Sequence, residues 1–150
     1  MKDLLLELFK YYDEANRLYF GHLKPIPSSA RIQELMDHIV NAHAVWLDRM
    51  EGAEMRVSPW MRHSQEERSA LHAQLMQRTS TFMASTDLTH SFRYKNTKGN
   101  TFENSFSQVL FHIVNHGTHH RGQINLLLKR EDLPTLVNDY IFYRREILDM

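Results

Sequence analysis

The sequence of 150 residues contains no cysteine, and this absence excludes several kinds of chemistry. A chain without thiols cannot form a disulfide, a thiolate zinc site, a CxxC redox pair or a cysteine nucleophile. Histidine and carboxylate side chains remain as metal ligands and as bases. A single domain of this length can bury enough apolar surface to fold without crosslinks.

The sequence also lacks an excess of charge and a long apolar segment. Eighteen basic residues balance eighteen acidic residues. Non-specific binding to DNA depends on a surplus of Lys and Arg, so we expect no nucleic-acid partner. No segment approaches the roughly 18 to 20 apolar residues of a membrane helix. The apolar start Leu4–Leu6 is followed at once by Glu7 rather than by a cleavage site. We therefore expect a cytoplasmic protein without a membrane segment.

Glycine and proline are scarce, and the apolar residues recur at helical spacing. Steps of three and four predict four helices, over about residues 3–20, 30–49, 65–84 and 102–129. The region 87–100 is predicted to be an irregular loop or a short extended segment. A short fifth helix is predicted from Pro134 to about Ile147. These elements indicate an all-α protein. The most economical architecture is an up-and-down four-helix bundle with a short additional C-terminal helix, formed by one domain over residues 1–150.

The chain is rich in histidine, with ten residues of this type. His38 and His43 lie at the two edges of the apolar stripe of the second predicted helix, and periodicity alone does not choose between them. Four more histidines share one arc of the fourth predicted helix, which we expect to face the interior of the bundle. They are His112, His116, His119 and His120.

The spacing of these histidines permits a metal site. Side chains four residues apart lie about 5 to 6 Å apart at Cβ, so the pairs His112/His116 and His116/His120 could each converge on one ion. A third imidazole from another helix would give a three-histidine site with an open position. A single histidine on an apolar face, in contrast, is typically a core residue with a hydrogen-bonded partner. That interpretation applies to His43, His112 and His119 taken singly. The zinc-protease pattern H-E-x-x-H is absent, so the motif contains no glutamate base.

The segment HIVNHGTHHRGQ, from His112 to Gln123, resembles the signature of the DinB family, in which the run H-x-x-x-H-R-G-Q is the most recognisable part. This family is also described with YfiT-like and bacillithiol-transferase relatives. Residues 8–18 and 38–47 are similar to its first two helices, although Glu14 stands where a tryptophan is frequent. The resemblance covers most of the chain and is weakest from Trp60 to Lys98.

The resemblance implies a four-helix bundle, commonly a homodimer, with one divalent metal ion held by His38, His116 and His120. It thus selects His38 rather than His43, which occupies a position where a carboxylate is often seen. It also makes His112 and His119 neighbours of the site. Imidazole ligands suit zinc or nickel, and iron or copper as well.

Other residues of the signature have expected supporting roles. Gln123 and Asn115 are candidates to orient an imidazole or to hold a metal-bound water, and the alternative for Gln123 is a polar residue on the bundle rim. We expect Arg121 and Gly122 to serve the structure. A glycine inside a helix is about 1 kcal/mol less favourable than alanine, so Gly122 suggests the close approach of another backbone, within the bundle or across a dimer.

Three neutral imidazoles leave the charge of the ion uncompensated, so a bound thiol would lose its proton and a bound water would become more acidic. We expect a metal-dependent enzyme that activates a small-molecule thiol for S-transfer to an electrophile, as the thiol-transferase relatives suggest. One alternative is a metal-dependent hydrolase that uses a metal-bound water, with Asp37 or Asp139 as weak candidates for the base. Another alternative is a metal-binding dimer without turnover. A carboxylate-rich substrate pocket, or a groove sized for a small thiol, would favour an enzyme, and a site sealed by side chains would favour the binding role.

Overall fold

A computed structural model of the chain describes residues 1–145, and over this range the protein is mostly helical. Its elements are α1 Lys2–Leu23, α2 Ala30–Glu51, α3 Gln65–Ser85, β1 Ser91–Lys95, β2 Thr101–Ser105, α4 Phe106–Arg130 and α5 Tyr140–Arg144. The four long helices that the apolar spacing predicted are confirmed. No helix within residues 1–145 is long and apolar enough to cross a membrane.

The core lies among the four long helices. α1 and α2 each pack against both α3 and α4. Fully buried side chains come from every one of these helices, among them Tyr12, Ile32, Leu75 and Ile124. This burial removes a continuous apolar surface from water, which is the main stabilising contribution to a fold of this kind.

The face of α4 that enters the core differs from the predicted arc of histidines. The buried side of the helix carries Val109, Ile113 and Ile124, whereas His112 and His119 are exposed. Aliphatic side chains gain more from burial than imidazoles, which need hydrogen-bond partners when they leave water. The histidines of α4 therefore lie at the side of its core face rather than within it.

The segment before α4 departs from the all-α prediction. β1 and β2 form an antiparallel hairpin in which Ser91 lies opposite Ser105 and Lys95 lies opposite Thr101. The short extended segment expected within 87–100 is confirmed, but its partner strand was wrongly assigned to the fourth helix. That helix begins at Phe106 rather than at Phe102 because Ser105 and Gln108 form a capping box, in which each side chain accepts from the backbone N–H of the other residue.

The C-terminal helix begins later than predicted, at Tyr140 rather than at Pro134. The segment between them is held by the side chain of Asn125, whose amide nitrogen donates to the carbonyl of Leu136 at 2.7 Å and whose amide oxygen accepts from the Leu136 N–H at 3.1 Å. A side chain thus satisfies backbone groups that a helix would otherwise pair. The predicted end at Ile147 lies outside the described residues.

The close approach expected at Gly122 is not found in the described part of the chain, and its alternative across a dimer stays a prediction. A close approach of a side chain is found at Gly117. A Cβ atom at Gly122 would meet nothing within 4 Å, whereas a Cβ atom at Gly117 would lie 2.7 Å from Cε2 of Tyr12. Arg121 has the expected structural role, since its buried guanidinium donates to Oδ1 of Asn16 at 2.7 Å and to Oδ1 of Asn138 at 3.0 Å. These contacts join α4 to α1 and to the segment that precedes α5.

Candidate metal centre

Three histidines converge beside the contact between α2 and α4. His38 comes from α2, and His116 and His120 come from successive turns of α4. One ring nitrogen of each lies within 4.8 Å of the other two. The centroids of the rings are 4.9 Å apart for His38 and His116, 4.8 Å for His38 and His120, and 4.4 Å for His116 and His120. The structure thus brings together the three residues that the resemblance implied. We call them the three-histidine group, and they could hold a metal ion.

Carbonyl oxygens determine which ring nitrogen is free in two members of the group. Nδ1 of His38 lies 2.8 Å from the carbonyl oxygen of Pro59, and Nδ1 of His120 lies 2.7 Å from Oε1 of Gln123. A carbonyl oxygen only accepts, so each Nδ1 carries the proton and each Nε2 keeps its lone pair in the neutral ring. Nε2 of His120 lies 3.0 Å from Nε2 of His116. The Nε2 atoms of His38 and His120 therefore carry lone pairs, and Nε2 of His116 is the donor in its contact with His120. Binding of a metal ion at this point would displace the proton from Nε2 of His116.

The surroundings keep these imidazoles uncharged. Desolvation by burial, followed by the neighbouring His120 and His38, lowers the pKa of His116 to about 3. Burial also lowers the pKa of His38 and His120, although the hydrogen bonds to Pro59 and Gln123 act in the opposite direction. Because a neutral imidazole is the form that ligates a metal, the group is ready for ligation at neutral pH.

The loop between α2 and α3 fixes the position of His38, and sequence reasoning did not identify this role. The indole ring of Trp60 stacks on the imidazole of His38 with centroids 3.8 Å apart and planes 7° apart. Asn41 ties the loop to α2, since its amide nitrogen donates to the carbonyl of Met61 at 2.7 Å and its amide oxygen lies 2.7 Å from Nε2 of His63. No periodicity connects a loop to a helix that precedes it by about 20 residues, so the sequence contains no signal for this contact.

Neither carboxylate proposed as a base belongs to the three-histidine group. Asp37 is fully buried, and its oxygens accept from Nε of Arg68 at 2.7 Å and from Nε of Arg62 at 3.0 Å. Asp139 is exposed at the start of α5. Within residues 1–145, the three histidines form the only group of three or more His, Cys, Asp or Glu residues with ligand atoms this close together. A metal ion held by this group would therefore have only nitrogen ligands from the protein.

The remaining histidines singled out by the sequence lie apart from the group. His43 is buried in the core, with Nε2 at 2.8 Å from Oγ1 of Thr79, as the interpretation of a single histidine on an apolar face predicted. His112 is exposed, and its ring meets the edge of Trp46. His119 is exposed, and it accepts at Nε2 from the amide nitrogen of Gln123 at 3.3 Å. Gln123 therefore orients the imidazole of His120, so it is not a rim residue without a partner. Asn115 is exposed.

The three-histidine group is half-buried and lies between two grooves along the contact of α2 and α4. One groove has a volume of about 210 Å³ and is lined by Arg31, Leu35, Gln123, Leu126 and Leu127. The other has a volume of about 230 Å³ and is lined by Trp46, Tyr94, Asn104, Gln108, Val109 and His112. A larger cavity of about 640 Å³ lies between α1 and α3. The three histidines are neighbours of the two grooves and do not line any of these three spaces.

Comparison with known proteins places these features in a family context. The model of the DinB family matches residues 1–145. The curated protein "Protein DinB" of Bacillus subtilis (strain 168) is 25% identical to this chain over 163 aligned positions, which cover 95% of each chain. The matched range contains all seven elements described above and the whole three-histidine group.

Proposed function

Since the chain belongs to the DinB family, we propose that it is a metal-dependent enzyme that transfers the sulfur of a small-molecule thiol to an electrophile. In this proposal one divalent metal ion, zinc or nickel in preference to iron or copper, is held by His38, His116 and His120. The observation that carries the proposal is the convergence of three neutral imidazoles within 4.8 Å at a half-buried position. The up-and-down order of the four-helix bundle, the homodimer and the cytoplasmic location belong to the same proposal.

The residues of the group fit a divalent cation. Imidazole nitrogen is a ligand that zinc, nickel, iron and copper all accept. Gln123 and the carbonyl of Pro59 hold the Nδ1 protons of two ligands, an arrangement that is typical around metal-bound histidines. When bound, such a cation lowers the pKa of a coordinated thiol.

The transfer can be written as a balanced reaction, RSH + R′X → RSR′ + H⁺ + X⁻. A bond forms between sulfur and an electrophilic carbon, the bond from that carbon to X breaks, X leaves with the electron pair, and the thiol proton passes to solvent. The thiol comes from solution, because the chain has no cysteine. In the protein, Trp60 and Gln123 keep two imidazoles in place, and the neighbouring grooves position the two substrates.

Two observations support S-transfer over the alternatives. Hydrolysis would benefit from a carboxylate base, and no carboxylate belongs to the three-histidine group within residues 1–145. A role in metal binding alone would suit a sealed site, whereas this group is half exposed and has a groove on either side.

The proposal is tested with untagged protein loaded with zinc or with nickel. A panel of low-molecular-weight thiols is combined with 1-chloro-2,4-dinitrobenzene, and product absorbance is followed. We expect at least one thiol to react faster with loaded protein than with metal-free protein, and we expect His120→Ala to abolish the difference. His90→Ala, which removes an exposed histidine near the hairpin, is the matched control and should keep the rate. Equal rates with loaded and metal-free protein for every thiol would contradict the proposal.

A further inference from the structure

We infer that the groove between Trp46, Tyr94 and His112 binds a planar, electron-poor aromatic ring, which is the reactive part of the second substrate. We call it the aromatic groove, and its lining is Trp46, Tyr94, Asn104, Gln108, Val109 and His112. The assignment of this ring as an electrophile rests on the proposed function. The binding of the ring does not depend on it.

The walls of the aromatic groove are rings set edge to face. The centroid of Trp46 lies 5.0 Å from that of Tyr94 and 5.4 Å from that of His112, with interplanar angles of 83° and 74°. The volume of about 230 Å³ exceeds the roughly 150 Å³ of an apolar cavity that binds benzene. One aromatic ring of a ligand therefore fits this space.

The charge around the groove favours an electron-poor ring. Indole and phenol rings carry negative potential on their faces, which attracts a ring depleted of electrons. The guanidinium of Arg49 lies over the rings of Trp46 and Tyr94, 4.8 Å and 5.5 Å from their centroids, so a ligand ring would meet the parts of these rings that Arg49 leaves open. A cation at this position attracts the oxygen atoms of electron-withdrawing substituents such as a nitro group.

Three polar side chains of the groove, Tyr94, Asn104 and Gln108, are bonded to one another, and these bonds support its shape. The hydroxyl of Tyr94 donates to Oδ1 of Asn104 at 2.8 Å, and the amide nitrogen of Asn104 donates to Oε1 of Gln108 at 3.1 Å. Tyr94 lies on β1 and Asn104 lies on β2, so the hairpin forms this side of the groove. A preformed groove binds a ring without first having to order its own side chains.

The aromatic groove lies next to the three-histidine group. The ring of His112 is 5.5 Å from that of His116, one turn further along α4. Trp46 follows His38 by eight residues on α2, which corresponds to about 12 Å of helix. A reactive carbon attached to a ring in the groove therefore reaches toward the three-histidine group, where the proposed function places the thiol.

The inference is tested by ligand binding to metal-free protein. The chain has two tryptophans, so Trp60→Phe leaves Trp46 as the sole reporter. Its fluorescence is followed during titration with 4-nitrobenzyl alcohol, an electron-poor single-ring probe without a reactive halide. We expect saturable quenching. Adding Tyr94→Ala should raise the Kd about 10-fold, since an aromatic pair contributes roughly this much.

Matched variants distinguish the loss of one wall of the aromatic groove from a disruption of the fold. His112→Ala removes the exposed wall on α4 and should also weaken binding. Tyr94→Phe keeps the ring but loses the bond to Asn104, so its Kd should lie between those of the parent and of Tyr94→Ala. Arg93→Ala, at an exposed neighbouring position of β1, should leave the Kd unchanged. Quenching that does not saturate, or an equal Kd in the Tyr94→Ala and His112→Ala proteins and their parent, would overturn the inference. Saturable binding in this test, together with no S-transfer activity in the metal-loaded wild type, would contradict the proposed function and leave the groove assignment standing.

Discussion

Two regions of this protein concentrate histidines, and the rings meet different surroundings in each. In the three-histidine group the rings face one another at a half-exposed position, and two Nδ1 protons are donated to carbonyl oxygens. His43 and His72 form the second region, which we call the buried pair, and their rings are almost completely inaccessible. The first arrangement leaves lone pairs available to a ligand, and the second surrounds the rings with protein.

The buried pair is held by other side chains instead. Nε2 of His43 lies 2.8 Å from Oγ1 of Thr79, and Nε2 of His72 lies 2.9 Å from Oδ1 of Asp13. The ring of Tyr12 separates the two imidazoles, with centroid distances of 5.4 and 5.7 Å. The comparison shows that histidine abundance alone does not define a candidate metal site, since the rings must also converge on one accessible point.

The largest expected effect comes from removing one member of the three-histidine group. We expect His120→Ala to raise the Kd for zinc by more than about 100-fold, because outer partners alone contribute 10–100-fold. Isothermal titration calorimetry on untagged protein measures this change. His43→Ala, the counterpart in the buried pair, should retain the zinc affinity of the wild type. A His120→Ala protein that binds zinc as tightly as the wild type would contradict the proposed difference in metal binding between the three-histidine group and the buried pair.

For the free energy of unfolding, the larger effect is expected from the buried pair. His43→Ala removes a buried ring and its bond to Thr79, and we expect it to lower the free energy of unfolding by about 2–4 kcal/mol. Urea denaturation of metal-free protein, followed by circular dichroism, measures the change. His90→Ala, at an exposed position, should stay within about 0.5 kcal/mol of the wild type. Equal stabilities of the His43→Ala and His90→Ala proteins would contradict the structural role.

His43 should also make stability depend on pH. Burial lowers the pKa of His43 from 6.5 to about 3 in the folded protein. Between these values the unfolded chain binds a proton that the folded chain does not, so stability falls as the pH drops below 6.5. One proton changes the free energy of unfolding by roughly 2 kcal/mol between pH 6.5 and pH 5.

The contribution of His43 is isolated by comparing the wild type with His43→Gln in urea denaturation at each pH, without metal. The members of the three-histidine group also have lowered pKa values, and both proteins retain them. The variant should therefore lose stability less steeply than the wild type as the pH falls. Parallel curves would show that His43 does not titrate as its burial requires.

Two glycines of α4 compare a position packed beside the buried pair with an open position on the same helix. A methyl group at Gly117 would lie 2.7 Å from Tyr12, which packs against the buried pair, so we expect Gly117→Ala to lower stability by about 1–3 kcal/mol. Gly122 faces open space, and Gly122→Ala should raise stability by up to about 1 kcal/mol. Thermal melts measure both effects, and shifts of the same sign would contradict this assignment.

The smallest expected effect concerns the partner of His120. Gln123→Met removes the acceptor of the His120 Nδ1 proton, and we expect zinc affinity to fall about 10-fold with stability unchanged. Asn115→Ala, an exposed position on the same helix, is the control and should bind zinc as the wild type does. If the two variants bind zinc equally well, Gln123 has no orienting role.

Local geometry explains which parts of the site the sequence could predict. His116 and His120 are four residues apart on a strongly periodic segment, so the helix itself brings them together. The choice between His38 and His43 depends on how α2 is rotated against α4, which is a property of tertiary packing. The family resemblance, rather than the residue pattern, supplied His38.

The errors in the predicted fold have similar causes. Phe102 lies seven residues before Val109, a helical spacing, yet it belongs to a strand that pairs with a segment several residues upstream. The capping pattern of Ser105 and Gln108 is a local signal in the sequence, and it indicates that the helix begins just after Ser105. The start of the C-terminal helix depends on hydrogen bonds from Asn125 to the backbone of Leu136, and no local sequence pattern predicts them.

The most direct test of the central claim is nuclear magnetic resonance of the imidazole nitrogens during addition of zinc to untagged protein. We expect the ring nitrogens of His38, His116 and His120 to shift together and to saturate at one zinc ion per chain. The resonances of His43 and His72 should stay in place. Shifts confined to other histidines, or no saturable shift in these three, would contradict the assignment of the three-histidine group as a metal site.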